Sequence, residues 1–284
     1  MSLPVQDQTD ICLSTLRATD RDRYLACLLS PPEKREALAA LYAFNAEIAR
    51  IRDVIRQPLA GEIRLQWWRG QFEEGPNEEA AANPVAAALF AAIETYRLPR
   101  RTFIDMLDAR IFDLYDDPFP DRNALEGYAG ETASALIQLA GLILSPSDAA
   151  GAAPAAGHAG VAQAIAGSLL LMRNHSARGQ VYIPLDLLSA TGLDRETFLA
   201  GDDRLRLSAA IEAYAGLGLD HLRQARATGK IPSALMPAFL PATTADAVLI
   251  KARRIGADAL VQPLMPLQWR RQLRMVFALV RRSV

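Results

Sequence analysis

The most informative chemistry lies in a predicted helix over Glu33 to Ile55, where two polar residues interrupt an apolar stripe. The apolar residues of this stripe recur at helical spacing and are Leu38, Leu41, Ile48 and Ile55. Asn45 and Arg52 complete the same pattern. Because an unpaired charge at a helix interface is costly, Arg52 needs a carboxylate on a neighbouring helix, a water-filled cavity or a bound anion.

A second group of reactive side chains is the acidic run from Asp105 to Asp117. Asp113, Asp116 and Asp117 are candidate metal ligands, because Asp113 and Asp116 lie one helical turn apart. Pro118 ends the predicted helix directly after them, and carboxylates at a helix C-terminus are disfavoured by the helix dipole and are usually solvated. The pattern favours solvated carboxylates over a metal site.

The segment 267–284 is predicted to be a basic amphipathic helix. It carries five arginines and no acidic residue, and its apolar residues recur at helical spacing: Trp269, Leu273, Phe277 and Val280. Such a helix can lie on an anionic membrane surface. The same pattern is compatible with the last helix of the fold, with a solvated basic face.

The pair Trp67-Trp68 has two interpretations as well. Paired tryptophans can stack on a ligand or a nucleic acid. In a helix, however, adjacent side chains point about 100° apart, so the sequence favours one tryptophan in the core and one at an interface.

Composition indicates an all-α protein. Of the 284 residues 51 are alanine, the strongest helix former, whereas aromatic residues, which strands prefer, make up 7%. The 31 basic and 32 acidic side chains leave a net charge of -1, so the chain has no global field for binding nucleic acid. Cys12 and Cys27 are the only cysteines, so neither a disulfide framework nor a structural metal is indicated.

Helix signals predict a single domain over 1–284 with about ten helices. Those with clear limits cover about 33–55, 84–97, 101–115, 123–144, 161–172, 203–228, 245–261 and 267–282. Ser30 and Asn123 are the predicted N-caps of two of them. The segment GAAPAAGHAG (151–160) is predicted to be a flexible loop, and only Gln180 to Ile183 looks extended.

No targeting or membrane-spanning segment is predicted. The opening MSLPVQDQTD has neither the charge nor the apolar run of a secretory signal or a transit peptide. The longest apolar stretches, 133–144 and 159–172, are shorter than the roughly 18 residues that cross a bilayer. We therefore expect neither a secreted protein nor an integral membrane protein.

Three blocks of the sequence resemble the squalene/phytoene synthase family. They are DRYLACLLSPPEKREALAALYAFNAEIARIRDVI, IRLQWWRGQFEEG and RGQVYIPLDLL, in that order, and the resemblance is clearest over 24–193. It implies the isoprenoid synthase fold, a helical barrel around a central cavity. It also implies two Asp-rich motifs that hold Mg²⁺ against a prenyl diphosphate.

At the positions of those motifs this sequence reads differently. Matched from the shared LYAF, the first motif falls on Ala49 to Asp53, where Asp53 remains and Arg50 and Arg52 have entered. Matched from the shared Arg178-Gly179, the second motif falls on Leu171 to His175, which contains no aspartate. We expect Arg50, Arg52 and His175, as cations, to repel Mg²⁺ and to bind a phosphate group directly. The cavity is therefore predicted to bind an anion without a metal cofactor.

The substitutions most resemble a degenerate branch of the family that includes an assembly factor of mitochondrial respiratory complex I. The resemblance implies a noncatalytic protein that binds an isoprenoid or lipid anion or assists assembly of a respiratory complex. The predicted ligand-binding residues are Asn45, Arg50, Arg52, Asp53, His175 and Arg178. The alternative is an active head-to-head prenyltransferase that uses Mg²⁺, with catalytic residues Asp53, Tyr128 and Tyr182.

Overall fold

The computed structural model describes residues 5–55 and 57–284, with side chains from Gln8 onward. Within these ranges the chain is all-α, without a β-strand, as the alanine content predicts. Its α-helices are α1 (Val5–Thr19), α2 (Arg21–Leu28), α3 (Arg35–Ala49), α4 (Ile51–Val54), α5 (Pro58–Glu74), α6 (Glu78–Ala82), α7 (Pro84–Tyr96), α8 (Arg100–Arg110), α9 (Arg122–Ala129), α10 (Ala135–Leu144), α11 (Pro146–Ala149), α12 (Ala153–Ser176), α13 (Leu185–Ala190), α14 (Arg195–Ala200), α15 (Arg204–Ala227), α16 (Met236–Phe239), α17 (Ala245–Ile255) and α18 (Gln268–Arg281).

Short helices of other types join several of these elements. The 3₁₀-helices are Pro32–Lys34, Ile111–Leu114, Ser233–Leu235, Leu240–Thr244 and Gly256–Leu260, and a π-helix covers Gly130–Ser134. The predicted helix over 123–144 is thus divided into α9, the π-helix and α10. Such divisions account for part of the excess over the roughly ten helices that the sequence predicts, and the rest are helices outside the predicted ranges. Of the opening decapeptide, residues 1–4 lie outside the described residues.

Two helices, α7 and α15, begin where the sequence predicts, and two of the predicted N-cap residues are not caps in the structure. Asn83 accepts hydrogen bonds from the backbone of the first turn of α7, and Asp203 does the same for α15. The cap of α9 is Asp121, not the predicted Asn123. Ser30 is also not a cap, since its hydroxyl donates to the carbonyl oxygen of Ala26 at 2.7 Å.

The alanine- and glycine-rich segment 151–160 is not the loop that its composition predicts. From Ala153 onward it forms the first turns of α12, which continues to Ser176. Gly160 is buried there, and a Cβ atom on it would lie 2.4 Å from the backbone nitrogen of Ser134. Ser134 in turn donates to the carbonyl oxygen of Gly157 at 2.8 Å. The small residues allow α12 to pack against the π-helix.

The chain divides into two compact units. The first comprises Met1–Leu114, Ala135–Ala153 and Pro232–Pro241. Its central helix, α3, is buried on nearly all sides, as expected of an apolar helix surrounded by others. Phe44 packs edge-on against Trp68 at 4.8 Å between ring centroids, and Phe72 and Phe103 complete the cluster.

The second unit comprises Tyr115–Ser134, Pro154–Ile231 and Ala242–Val284. Its core includes the close packing of α15 on α17. A Cβ atom on Gly218 would come within 2.7 Å of Leu249 Cδ2, and within 3.2 Å of Ile165 of α12. Small residues again let the helices approach closely.

Two segments are long and apolar enough to cross a membrane by length and composition alone. They are Ala153–Ser176 and Ser233–Leu260, and both exceed the apolar runs on which the prediction of no span is based. In the most apolar window of each, 56% and 72% of the residues are buried inside the fold. Burial of this extent is also seen for core helices of globular proteins.

Candidate functional site

The predicted site residues fall into two groups, one in each compact unit. Asn45, Arg50, Arg52 and Asp53 belong to the first unit. His175, Arg178, Tyr128 and Tyr182 belong to the second. Each group is described by itself.

In the first group the predicted helix over 33–55 ends early. α3 ends at Ala49, and Arg50 has φ -106° and ψ 5°, close to the bridge region where many active-site residues are found. Arg52 and Asp53 therefore lie on the separate short helix α4, half-buried and exposed respectively. The prediction that Arg52 continues the buried stripe of α3 is wrong, whereas Asn45 is buried as predicted.

Glu47 adds a carboxylate to this group. Its Oε1 accepts a hydrogen bond from Nε1 of Trp68 at 3.3 Å. Desolvation raises the pKa of the Glu47 carboxyl, and the Trp68 bond and the Arg64 guanidinium oppose that rise only in part. Trp68 itself is buried, which confirms the prediction of one tryptophan in the core, and Trp67 is half-buried.

The second group is organised by the C-terminus of α12. The amide of Gln180 donates to the carbonyl oxygen of His175 at 2.9 Å, and the amide of Gly179 donates to that of Ser176 at 3.0 Å. With Gly179 at φ +82°, these bonds form a Schellman motif, in which glycine is favoured. The turn places Arg178 on the surface and directs the chain toward Tyr182.

Aromatic rings bring three of the predicted residues together. The imidazole of His175 stacks on Tyr182 at 4.5 Å between centroids, with an interplanar angle of 29°. Phe119 lies 6.1 Å from Tyr182 and 5.2 Å from Tyr128, so it joins both tyrosines. The sequence analysis did not single out Phe119, although an aromatic residue between Pro118 and Pro120 is a recognisable signal.

Backbone hydrogen bonds hold the Phe119 loop against the turn after α12. The amide of Leu185 donates to the carbonyl oxygen of Phe119 at 2.9 Å. Gln180 Nε2 donates to that of Tyr115 at 3.1 Å. Arg195 donates to the carbonyl oxygens of Asp116 and Gly179, at 3.2 and 2.7 Å. Arg195 was also missed, because its role depends on segments that are distant in sequence.

A small pocket opens beside His175 and Tyr182 within the second unit. It encloses about 230 Å³, counting the space at its open side. Its apolar walls are Leu169, Met172, Val181, Ile183 and Phe198. Its polar groups include Ser168 and Tyr214, which share a hydrogen bond of 2.8 Å, and Ser176. The Ser176 hydroxyl is buried and has no hydrogen-bond partner among the described residues.

The candidate metal ligands of the acidic run are dispersed. Asp113 is buried in the 3₁₀-helix after α8, and its carboxylate pairs with Arg110 at 2.9 Å. Asp116 and Asp117 follow in a non-helical segment, half-buried and exposed. Within 5–55 and 57–284, no three His, Cys, Asp or Glu side chains are grouped to hold a metal ion. The ion pair of Asp113 further disfavours a metal site at these candidate residues.

A second polar network joins two histidines of the same unit. His221 Nδ1 lies 3.0 Å from His158 Nδ1, and His221 Nε2 lies 3.1 Å from Glu126 Oε1. Desolvation lowers the pKa of His221 and outweighs the opposite effect of Glu126. Desolvation also raises the pKa of Glu126, but bonds from Arg122 and His221 outweigh it and lower that pKa.

This network predicts a pH-dependent stability. Because the pKa of His221 is lower in the folded protein than its ordinary 6.5, the unfolded chain binds the proton at a higher pH. The free energy of unfolding is therefore fully present above about pH 6.5 and falls as the pH drops below it. We expect the urea midpoint to fall between pH 7.5 and 5.5 in the wild type and to change less in His221→Gln. An equal fall in both proteins would contradict the assignment.

With this geometry established, the comparisons define the class of protein. The model of the squalene/phytoene synthase family matches residues 16–276, so the chain belongs to this family. A dehydrosqualene synthase crystal structure superposes with a TM-score of 0.76 at 20% identity, covering 96% of this chain and 95% of that one. The squalene synthase of Alicyclobacillus acidocaldarius gives 0.73 at 19%, covering 89% and 97%. The fold is that of the isoprenoid synthases.

Relatives within the family carry two kinds of name. The chain is 33% identical over 248 residues to complex I assembly factor 6 of Homo sapiens, covering 87% of this chain and 74% of that protein. The same factor of Rattus norvegicus is 32% identical over 255 residues, covering 89% and 76%. The 15-cis-phytoene synthase of Synechocystis sp. is 26% identical over 219 residues, covering 71% and 64%.

At the predicted motif positions, 49–53 and 171–175, the chain offers Mg²⁺ a single carboxylate, that of Asp53. In the first unit, the exposed Asp53 follows Arg50 and Arg52 on and beside a single-turn helix. In the second unit, the last turn of α12 carries two basic residues, Arg173 and His175, and no carboxylate. Mg²⁺ is held by carboxylates and substrate oxygens, which these positions do not supply as a group.

Proposed function

We propose that this protein assists the assembly of respiratory complex I and does not transfer prenyl groups. The observation that carries the proposal is the similarity to proteins named complex I assembly factor 6, which extends over 87% of the chain at 33% identity. The similarity to a named phytoene synthase is lower in identity and in extent. The partner is then an assembly intermediate or a subunit of complex I.

The residues at the two motif positions support a binding role over catalysis. By the sequence match, Ala49 stands where the first motif has an aspartate, and Arg50 and Arg52 flank the position. His175 stands at the end of the second motif. Cations repel Mg²⁺, and a multi-metal diphosphate site needs several carboxylates.

We propose an isoprenoid or lipid anion as ligand. The candidate residues are Asn45, Arg50, Arg52 and Asp53 in the first unit and His175 and Arg178 in the second, and each group is considered by itself. In the second unit, the ligand would enter the pocket beside His175, where the Ser176 hydroxyl offers a buried polar atom. The 230 Å³ includes open space at the mouth of the pocket, and the enclosed part is about 10 Å³, room for about one water molecule. Binding of a ligand group there would therefore require the pocket to widen.

The second candidate function is head-to-head prenyl transfer from prenyl diphosphates. It is favoured by the contacts that join Phe119 to Tyr128 and Tyr182, since both tyrosines match family motif positions. Asp53 would then supply the remaining motif carboxylate to a reorganised Mg²⁺ site. Turnover of a prenyl diphosphate by the purified protein separates the two functions.

Deletion of the gene tests the assembly role. We expect membranes of the deletion strain to lose most of their NADH–quinone activity, and complex I to be absent or incomplete on native gels. Wild-type protein supplied on a plasmid should restore both. Normal activity and normal assembly in the deletion strain would refute the proposal. We place the protein in the bacterial cytoplasm, at the inner face of the membrane where complex I is assembled.

A further inference from the structure

The apolar residues that the fold leaves in solvent are concentrated near the end of the sequence. Seventeen large apolar side chains of the described residues are exposed, and eight of them lie between Val261 and Val280. Those on α18 are Trp269, Leu273, Val276, Phe277 and Val280, with 47% to 78% of each residue accessible. A face this apolar on the surface marks an interaction site.

These five residues form one continuous face of α18. Trp269, Leu273, Val276 and Val280 follow one another at spacings of four, three and four, and Phe277 lies one turn after Leu273. At 100° per residue they fall within an arc of about 100°. The face is wide enough for one side of the helix to enter an apolar medium.

α18 is fixed to the second unit by its opposite side. Met275 and Ala278, the buried residues of the helix, point away from the apolar face. After the helix, Ile231 and Arg282 exchange two hydrogen bonds of 3.0 and 2.9 Å, and Arg226 donates to the carbonyl oxygen of Val284 at 2.6 Å. The exposure of the apolar face is thus part of the fold. α18 is the last helix of the fold and its basic side is solvated, as one of the two sequence interpretations has it, and its apolar face is solvated as well.

Arginines border the apolar face. Arg270, Arg274 and Arg281 lie along one edge of it, by the same 100° projection. Arg270 and Arg281 are exposed, and Arg274 lies 3.9 Å from Asp246. The segment 261–284 contains no acidic residue, and Asp246 on α17 is the carboxylate that lies near Arg274. An apolar face edged by cations complements a surface that is apolar inside and negatively charged outside.

We propose that α18 docks this protein on an anionic phospholipid membrane. The helix lies in the plane of the interface, Trp269, Phe277 and Val280 enter the acyl region, and the arginines reach up to lipid phosphates. The proposal goes beyond the assembly role and does not depend on it. Vesicle binding measures the docking alone, whereas NADH–quinone activity measures the assembly role.

Co-sedimentation of the full chain with phospholipid vesicles tests the docking. We expect binding to phosphatidylcholine vesicles that contain phosphatidylglycerol, weaker binding without phosphatidylglycerol, and loss of binding as salt screens the charges. Phe277→Glu should weaken binding at least tenfold because it places a carboxylate in the acyl region. The double variant R270E/R281E should weaken binding by about tenfold through charge alone.

Matched variants control for general effects of the substitutions. Leu205→Glu changes an exposed apolar residue outside α18, whose neighbours Arg204 and Arg206 are ion-paired with Asp258 and Asp203. R101E/R223E makes the same change in net charge at two exposed arginines elsewhere. Both controls should bind like the wild type, and circular dichroism should show native helicity in all variants.

Three results would overturn the proposal. One is wild-type protein that stays in the supernatant with phosphatidylglycerol vesicles at low salt. Another is unchanged binding of both R270E/R281E and F277E. The third is a dimer in analytical ultracentrifugation that F277E dissociates, together with no vesicle binding, because the face would then belong to a second copy of the chain.

Discussion

Replacing Gly160 by alanine is expected to destabilise the protein by about 3 kcal/mol. The added Cβ would lie 2.3 Å from Ser134 Oγ and 2.4 Å from both Cα and the backbone nitrogen of Ser134. Real Cβ atoms do not approach backbone so closely, so α12 or the π-helix must move. Urea unfolding followed by circular dichroism measures the change.

Gly157, one turn earlier on α12, is the matched control. A Cβ atom on Gly157 meets nothing within 4 Å. Gly157→Ala should leave the stability unchanged or raise it by up to about 1 kcal/mol, since alanine is the better helix former. Equal urea midpoints for the two variants would contradict the close packing of α12 on Gly130–Ser134. The clash also bears on the site, because the π-helix follows Tyr128 within a few residues.

The second large effect is expected at Trp68. Its side chain is 1% exposed, packs against Phe44 and stacks with Phe72, and donates to Glu47. Trp68→Ala should cost about 3–5 kcal/mol, because it leaves a large cavity and removes the hydrogen bond. The change is read from the urea midpoint and from the slope of the unfolding transition.

The adjacent residue, Trp67, provides the matched control for Trp68. It is half-buried, so its side chain loses less contact when truncated. Trp67→Ala should cost about 1 kcal/mol, the centre of the range for ordinary substitutions. If Trp67→Ala proved as costly as Trp68→Ala, the assignment of Trp68 alone to the core of the first unit would be wrong.

Features of the fold set by neighbouring residues were predictable from the sequence. The alanine content gives the all-α class, and the side chains of Asn83 and Asp203 cap the helices that follow them. A cap depends on residues two or three positions away, so a single sequence contains the information. The sequence was less informative about features that depend on packing between segments distant along the chain.

Three features of the fold depend on distant segments. α12 begins within an alanine- and glycine-rich segment because the backbone of Ser134 packs on Gly160. The helix break at Arg50 and the π-helix at Gly130–Ser134 carry neither proline nor a loop-like composition. Their positions follow from packing in each unit, which no local pattern reports.

The candidate site also combines residues that are close in sequence with residues that come from distant segments. His175, Arg178 and Tyr182 lie within eight residues, so the turn at Gly179 brings them near one another, and their grouping could be predicted. Phe119 and Arg195 reach the same place from segments 56 residues before and 20 residues after His175. Only the three-dimensional fold shows that Phe119 contacts both tyrosines and that Arg195 bridges the two loops.

One measurement tests directly whether this protein, which has the isoprenoid synthase fold, acts without prenyl transfer. Purified protein is incubated with Mg²⁺ and farnesyl or geranylgeranyl diphosphate, and the release of pyrophosphate is followed over time. We predict a rate equal to that of the solution without protein, for the wild type and for Asp53→Asn. Pyrophosphate release by the wild type that Asp53→Asn abolishes would show the chain to be a prenyltransferase and contradict the claim.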